Sequence, residues 1–177
     1  MKFFMIVPKV NQYCWLGRKS DEDGLTLSRV RHASVVETWK PVAVEWLPET
    51  QGRPLCDFPV FTSIVRCMSG RAANALRPFF AGGVEFLPLK NVGDYIGFHC
   101  INWLQAADLE GVEQERVSIH STRFVPRLKS EVVSSQHAFG VPQMITKLFV
   151  SSTVKQEIED SGFTGLDFYE VELTSQT

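Results

Sequence analysis

Histidine is the residue type in this chain best suited to metal binding or acid-base catalysis, and its spacing argues against a metal site. No histidine lies three to five residues from another histidine or from a cysteine. Zinc and iron sites usually include such closely spaced pairs, so the sequence predicts no metal site and no cofactor. The histidines are His32, His99, His120 and His137.

One adjacent pair, His99 and Cys100, suggests a nucleophile beside its base. Neighbouring residues on a strand point to opposite faces of the sheet, so these two side chains cannot share one catalytic site. Cysteine spacing shows no Cys-x-x-Cys motif, and each cysteine lies in or beside an apolar run. That pattern is typical of reduced, buried thiols in an intracellular protein. The cysteines are Cys14, Cys56, Cys67 and Cys100.

Phosphate and nucleic-acid sites are equally poorly supported. Gly82 and Gly83 precede an apolar strand pattern and lack the lysine of a phosphate-binding loop, which leads into a helix. A basic stretch follows at residues 116–129, but it contains a single aromatic residue and no glycine-rich motif. The formal net charge of the chain is −2, which also argues against a general basic surface for duplex nucleic acid.

Carboxylates supply the remaining candidates. A cluster at Glu110, Glu113 and Glu115 could in principle serve acid-base catalysis, but a solvated acidic loop is the simpler interpretation. From Ile145 onward the sequence contains two lysines and six carboxylates, so this segment carries a net charge of −4. Glu159 and Asp160 lie in it. These two acidic regions are candidates for contact with a basic partner, although acidic faces also serve solubility alone.

The elements that position these residues indicate one α+β domain over residues 1–177 with a mostly antiparallel sheet. The clearest unit is strand, helix, strand from Ile145 to Leu173. Its helix is predicted to begin at Ser152 or Thr153, with Gln156 completing a capping box. Gly162 suits a left-handed helix cap, and Gly165 allows the reversal into the last strand.

A second unit of this kind is predicted upstream. Ser69 caps a helix that Pro78 ends, and a strand begins at Val84. When Ser69 is laid over Ser151, the same offset lays Gly83 over Gly165, so the two units align. Chance agreement of local rules and true duplication both explain this constant offset. In either case we expect both helices to pack on the same sheet.

Several further elements follow from local pattern. Strands are predicted at residues 3–7, 42–46, 60–68 and 84–89, the last forming a hairpin with residues 95–103. Residues 18–24, including the acidic tip at Asp21, Glu22 and Asp23, are predicted to be an exposed loop. Residues 127–136 are predicted to be a basic and polar connection. Every apolar run is shorter than the roughly 20 residues of a typical transmembrane helix, which indicates no membrane partner.

The order of several motifs resembles a known family. Asp57-Phe58-Pro59, the helix RAANALRP, the segment VEFLPL, Tyr95, Asp108, KLFVSS and KQEIEDSGFTGLDF are similar to the eleventh immunity-protein family of bacterial polymorphic toxin systems. The similarity covers about residues 40–173. Residues 105–107 depart from the pattern expected there, although Asp108 is kept.

This resemblance implies a cytoplasmic, non-enzymatic protein that binds and occludes a cognate toxin. No catalytic residues come with the family. The hypothetical binding surface is an acidic rim of Glu110, Glu113, Glu115, Glu159 and Asp160. Two alternatives stay open: a small hydrolase using His99 or His120, and a structural or regulatory subunit. A deep pocket in which either histidine bonds a carboxylate and lies near a cysteine or serine would favour the hydrolase, whereas a flat or convex charged face would favour binding.

Overall fold

The computed structural model describes residues 1–108 and 127–174 and has an α+β architecture, as the sequence predicts. Short 3-10 turns occur at Pro48–Thr50 and Pro142–Met144. The strands and helices, in chain order, are β1 (Phe3–Pro8), β2 (Leu16–Arg18), α1 (Asp21–Arg29), β3 (Val42–Trp46), β4 (Val65–Ser69), α2 (Gly70–Leu76), β5 (Val84–Lys90), β6 (Tyr95–Cys100), α3 (Ser130–Val133), β7 (Ala138–Phe139), β8 (Leu148–Ser151), α4 (Ser152–Asp160) and β9 (Leu166–Val171).

The strands of the described residues form two sheets. Sheet I has the order β7-β8-β1-β9, and all its pairs are antiparallel. Sheet II has the order β2-β3-β5-β6-β4, in which β3 and β5 are parallel and the other pairs antiparallel. The prediction of mostly antiparallel pairing is therefore confirmed.

Both predicted strand-helix-strand units are present, and both are split by a third strand. In sheet II, β6 lies between β4 and β5, and Met68 and Pro88 both lie opposite Ile96. In sheet I, β1 lies between β8 and β9, and Val150 and Glu170 both lie opposite Phe4. Met68 and Val150 are separated by the same number of residues as Ser69 and Ser151. Pro88 and Glu170 have that same separation. The sequence offset therefore corresponds to an equal register in the two sheets.

The expectation that both helices pack on one sheet is wrong. Helix α2 lies against β4 and β6 of sheet II, whereas α4 lies against β8 and β1 of sheet I. Each helix crosses between two strands of its own sheet, and a crossover helix covers the sheet whose strands it connects. The helices meet each other instead, and Ala72, Leu76, Val154 and Ile158 belong to one buried cluster.

Alternation along β1 places apolar side chains in two cores. Phe4 and Ile6 face the cluster that holds both helices, together with Phe98 of sheet II. Phe3 and Met5 point to the opposite face of sheet I, where a second cluster forms. That second cluster includes Phe139, Val141, Phe149, Leu128, Val133 and Val171. Strand β1 is thus buried on both faces and supports both cores.

A short segment at residues 56–58 joins sheet II to the turn that precedes β9. The Asp57 carbonyl accepts from the Ser69 N–H at 2.8 Å, and the Phe58 N–H donates to the Thr164 carbonyl at 3.1 Å. Gly165 has φ of 109°, and a Cβ there would lie 2.6 Å from the Phe58 carbonyl oxygen. Glycine is therefore required at this junction.

Residues 136–138 make the reciprocal connection from sheet I to sheet II. The His137 carbonyl accepts from the Ser151 N–H at 3.0 Å, at the end of β8. The Ala138 carbonyl accepts from Asn102 Nδ2 at 3.0 Å. Asn102 also donates its backbone N–H to the carbonyl of Gly83, the counterpart of Gly165. Each unit is thereby tied to the turn of the other.

Some local predictions are wrong for identifiable reasons. The acidic tip of the predicted loop at residues 18–24 forms the first turn of α1, because Ser20 accepts a hydrogen bond from the Asp23 N–H and caps the helix. Strand β4 begins at Val65, later than predicted, because Thr62 Oγ1 bonds both the N–H and the carbonyl of Val65. Residues 127–136 contain the short helix α3. Residues 109–126, which include Glu110, lie outside the described residues.

Candidate partner-binding surface

Helix α4 presents Glu159 and Asp160, two residues of the predicted acidic rim, to solvent. Its N-cap is Ser151, not Ser152 or Thr153, and the Ser151 hydroxyl accepts from the Val154 N–H at 3.4 Å. This start places Val154 and Ile158 on the buried face. The residues that follow Ile158 therefore point away from the core, and the carboxylates of Glu159 and Asp160 are both exposed.

The two exposed carboxylates on α4 have partners on the preceding turn. Lys155 Nζ donates to both carboxylate oxygens of Glu159 at 2.6 Å, and Gln156 Nε2 donates to Asp160 at 2.7 Å. The Lys155 ammonium also lies 5.3 Å from the ring centre of Phe4 and 5.5 Å from that of Phe168. Glu159 is therefore on the side of α4 that adjoins β9.

Strand β9 continues this acidic surface at the edge of sheet I. Asp167 pairs with Lys9 at 3.4 Å, and Glu170 pairs with Lys2 at 2.8 Å. Between them Tyr169 is 54% exposed, which makes it one of the most exposed large apolar side chains in the described residues. Because side chains alternate along β9, Glu170 lies with Phe168 on the α4 side of sheet I, whereas Asp167 and Tyr169 point to the opposite side. We define the α4–β9 surface by its exposed acidic residues, Glu159, Asp160 and Glu170.

In the folded protein, lysines from outside residues 145–173 partly neutralise the negative charge of that segment. Lys2 and Lys9 flank β1 and supply counter-charges from the opposite end of the chain. Exposed ion pairs of this kind contribute only about 0–1 kcal/mol each, so a partner can replace them at little cost.

The other three residues of the predicted rim, Glu110, Glu113 and Glu115, lie outside the described residues, as does His120. Within the basic stretch, Arg127 is described and pairs with Asp108 at 3.0 Å. The structure therefore brings Glu159 and Asp160 together and leaves their relation to the other three glutamates as a prediction.

His99 bonds a carboxylate, but its surroundings do not suit a hydrolase. Its Nδ1 lies 3.1 Å from Glu85 Oε2, and its Nε2 lies 2.6 Å from the carbonyl oxygen of Arg31. Both ring nitrogens are therefore in contact with oxygen atoms of the protein itself. The side chain is fully buried, and neither nitrogen is directed at a nucleophile.

Glu85 fastens the loop that follows α1 to sheet II. Its carboxylate accepts from the hydroxyl of Ser34 and from the backbone N–H groups of Val35 and Val36. Burial alone would raise the pKa of Glu85, but these bonds and the one from His99 outweigh it and lower the pKa. Ser34 thus bonds the carboxylate and not the histidine, an order unlike that of a catalytic triad.

Asp57 is a buried carboxylate with several hydrogen-bond donors around it, and the sequence indicates no role for it beyond the family motif. It accepts from Ser69 Oγ and from two nitrogens of Arg71, all at 2.7 Å, and from the Thr164 N–H at 3.0 Å. Burial alone would raise its pKa, but these donors outweigh it and lower the pKa. The Asp57 side chain is 5% exposed and that of Arg71 60%. These bonds connect the N-terminus of α2 to the turn before β9.

The cysteines are free and buried, as predicted. Burial raises the pKa of the Cys56 thiol to about 12 and raises that of Cys67 as well, so both stay protonated at neutral pH. Within residues 1–108 and 127–174, no three His, Cys, Asp or Glu side chains converge as a metal site would require. In the same part of the chain, every helix is too short or too polar to span a bilayer.

Comparison with known protein families bears on the C-terminal part of the chain. Residues 105–173 match the model of the Immunity protein family (Imm11). This segment resembles the Imm11 immunity proteins. The resemblance proposed from sequence is thereby confirmed for these residues, while its extension over residues 40–104 stays a prediction. No curated protein matches the chain significantly.

The Imm11-like segment, residues 105–173, contains α3, β7, β8, α4 and β9, and therefore the whole α4–β9 surface. It does not contain the centre of its own sheet. Strand β1, which lies between β8 and β9, comes from the N-terminal end of the chain. In this protein the Imm11-like segment depends on the N-terminal strand for its fold.

Proposed function

We propose that this protein is a bacterial immunity protein that binds and neutralises the toxin of a polymorphic toxin system. The observation that carries the proposal is the match of residues 105–173 to the Imm11 family. The protein would act in the cytoplasm of the cell that makes the toxin, as a stoichiometric binder and not as an enzyme. Its partner would be the toxin, with no role for nucleic acid or membrane.

Occlusion is the mechanism that the surface chemistry supports best. The α4–β9 surface offers exposed carboxylates, which suit a toxin face that carries lysines or arginines. Such complementary charge raises the association rate at low salt. Glu110, Glu113 and Glu115 would extend the same acidic rim.

Co-purification with the product of the neighbouring gene tests the function itself. We expect a stable 1:1 complex and protection of cells that express the toxin. The proposal fails if the two proteins neither associate nor affect toxicity. A neutralisation curve that saturates at one equivalent supports stoichiometric binding, whereas protection at far lower ratios would indicate catalysis.

Charge reversal tests the surface. The double variant Glu159→Lys/Asp160→Lys should lower toxin affinity at least about tenfold at low salt, mainly through slower association. Glu37→Lys/Glu49→Lys is the matched control, since both glutamates are exposed and lie outside the α4–β9 surface. A separate triple variant of Glu110, Glu113 and Glu115 tests the rest of the rim. Equal affinity and equal salt dependence in all variants would exclude this acidic rim.

A further inference from the structure

Two cationic side chains line one cleft beside the α2–α4 core. Arg66 lies on β4 of sheet II, and Lys147 immediately precedes β8 of sheet I. The cleft has a volume of about 220 Å³. Burial lowers the pKa of the Arg66 guanidinium to about 10, and burial together with the Arg66 charge lowers the pKa of Lys147.

Arg66 and Lys147 both have N–H groups at this cleft that are not hydrogen-bonded to described residues. Arg66 donates from Nη2 to the Thr146 carbonyl at 2.8 Å, which occupies one of its five N–H groups. Within residues 1–108 and 127–174, the Lys147 ammonium has no ion pair or hydrogen bond, and Arg66 has no carboxylate partner. Partly buried charges are normally paired, because removing them from water is costly. Arg66 and Lys147 therefore present charged donors to the cleft that an anionic group can bind.

The walls of the cleft restrict what that anion can be. Ile6, Pro8, Val60 and Phe61 supply apolar surface on the approach to the two cations. The volume is below the roughly 300–1,000 Å³ of pockets that hold drug-sized ligands. A nucleotide is too large, whereas one carboxylate on a short hydrocarbon stem fills the apolar part and meets both cations.

We propose that Arg66 and Lys147 form a binding site for a single carboxylate group carried on a short apolar stem. Arg66 binds the carboxylate through its planar fork of N–H groups, and Lys147 neutralises it as a point charge. The carboxylate belongs either to a free small acid or to a glutamate side chain of a protein partner. The site itself does not depend on the proposed toxin binding.

Titration with glutarate tests the site. The Nε–Hε signal of Arg66 in NMR spectra should shift saturably with sodium glutarate, and the melting temperature should rise in parallel. Sodium chloride at equal ionic strength should produce neither effect. A shift that stays linear, or that chloride reproduces, would overturn the proposal.

Variants separate a built site from general charge effects. Lys147→Gln should weaken glutarate binding at least about tenfold, as expected for the loss of a charge-assisted contact. Lys19→Gln is the charge-matched control, because Lys19 is exposed and remote from the cleft lining. Lys147→Gln should fold without glutarate, because the change removes repulsion with Arg66. Equal glutarate affinity of Lys147→Gln and wild type would refute the site.

The source of the carboxylate is a separate question that the toxin complex answers. If toxin and glutarate compete, and Lys147→Gln weakens both, the carboxylate is a side chain of the toxin. If toxin affinity is unchanged while glutarate binding is lost, the ligand is a free acid. Failure of the protein to bind any toxin would defeat the proposed function and leave the glutarate result to decide this site.

Discussion

Asp57 shows how one carboxylate holds two parts of the molecule together. Its carboxylate lies beside the N-terminus of α2 and accepts hydrogen bonds from the N-cap residue Ser69 and from Arg71. It also accepts a hydrogen bond from the N–H of Thr164, in the turn before β9. No local pattern in the sequence predicts this, since Asp57 and Thr164 are 107 residues apart. In the sequence, the Asp57-Phe58-Pro59 motif stands out only through its similarity to other proteins.

We expect Asp57→Asn to destabilise the protein by about 3 kcal/mol at pH 7, because an amide group then faces buried donors. The loss should depend on pH. The folded-state pKa of Asp57 is lowered, so its stabilisation is complete above the unfolded value of about 3.9 and is lost as pH falls through the folded value. Urea unfolding of wild type and variant between about pH 7 and pH 2 measures the difference.

Asp167→Asn provides the control for this prediction. Asp167 is exposed and its pair with Lys9 is 3.4 Å long, so its removal should cost less than about 1 kcal/mol. A stability difference between wild type and Asp57→Asn that stays constant over the whole pH range would contradict the assigned role.

At the scale of the element, helix α4 shows where sequence reasoning succeeds and where it misses by one residue. The buried stripe of Val154 and Ile158 and the glycine after the helix are visible in the sequence, and both are correct. The cap is not, because Ser151, Ser152 and Thr153 can all accept a hydrogen bond from an early N–H. The choice falls on Ser151 because β8 ends there, and a strand end fixes the extended backbone that an N-cap needs.

Ser151→Ala should therefore cost about 1–2 kcal/mol, as the loss of an N-cap does, whereas Ser152→Ala should cost less than about 0.5 kcal/mol. Ser151 is fully buried and lies 3.1 Å from His137 Nδ1, which favours the upper end of that range. Thermal and urea unfolding of the two variants distinguish them. Equal losses would show that the cap lies elsewhere.

Strand β1 is the element on which the rest of sheet I depends. It pairs with β8 on one side and β9 on the other, and its two faces enter different cores. The strand itself is predictable from its apolar pattern. Its place between two strands from the far end of the chain is not, because register and order in a sheet are set by long-range packing.

Removal of residues 1–9 should abolish cooperative folding, since β8 and β9 would lose their shared neighbour and both cores would lose buried side chains. Loss of near-ultraviolet circular dichroism and of a sharp thermal transition would show this. A single substitution, Ile6→Asp, should have much of the same effect, and Val10→Asp should not, because Val10 is exposed. A truncated protein that melts near the wild-type temperature would contradict the role assigned to β1.

At the scale of the whole molecule, sequence patterns predict the two strand-helix-strand units but not their distribution over two sheets. Each unit obeys local rules of capping, helix length and glycine placement, so each is visible alone. The assignment to separate sheets depends on β1 and β6, which insert between the strands of each unit. The local sequence of a helix does not determine which strand inserts between the two strands that the helix connects.

The prediction of a single domain has a direct thermodynamic test. The shared core of α2 and α4 and the reciprocal contacts of residues 56–58 and 136–138 couple the two sheets. We therefore expect one calorimetric transition with equal calorimetric and van't Hoff enthalpies. Two resolved transitions, or early hydrogen exchange of one whole sheet, would show that the sheets fold independently.

The equal register of the two sheets also relates them in chain order. In sheet II the order is β4, α2, β5 and then the central strand β6, joined by a hairpin turn. In sheet I the order is β8, α4, β9, and the central strand is β1, whose Phe3 lies opposite Val171 of β9. If a turn joined β9 to β1, the three strands β8, β1 and β9 would have the same connectivity as β4, β6 and β5. These two strand-helix-strand units, each with its central strand, thus have the arrangement of a circularly permuted tandem repeat, in which the ends of β9 and β1 occupy the place of a hairpin.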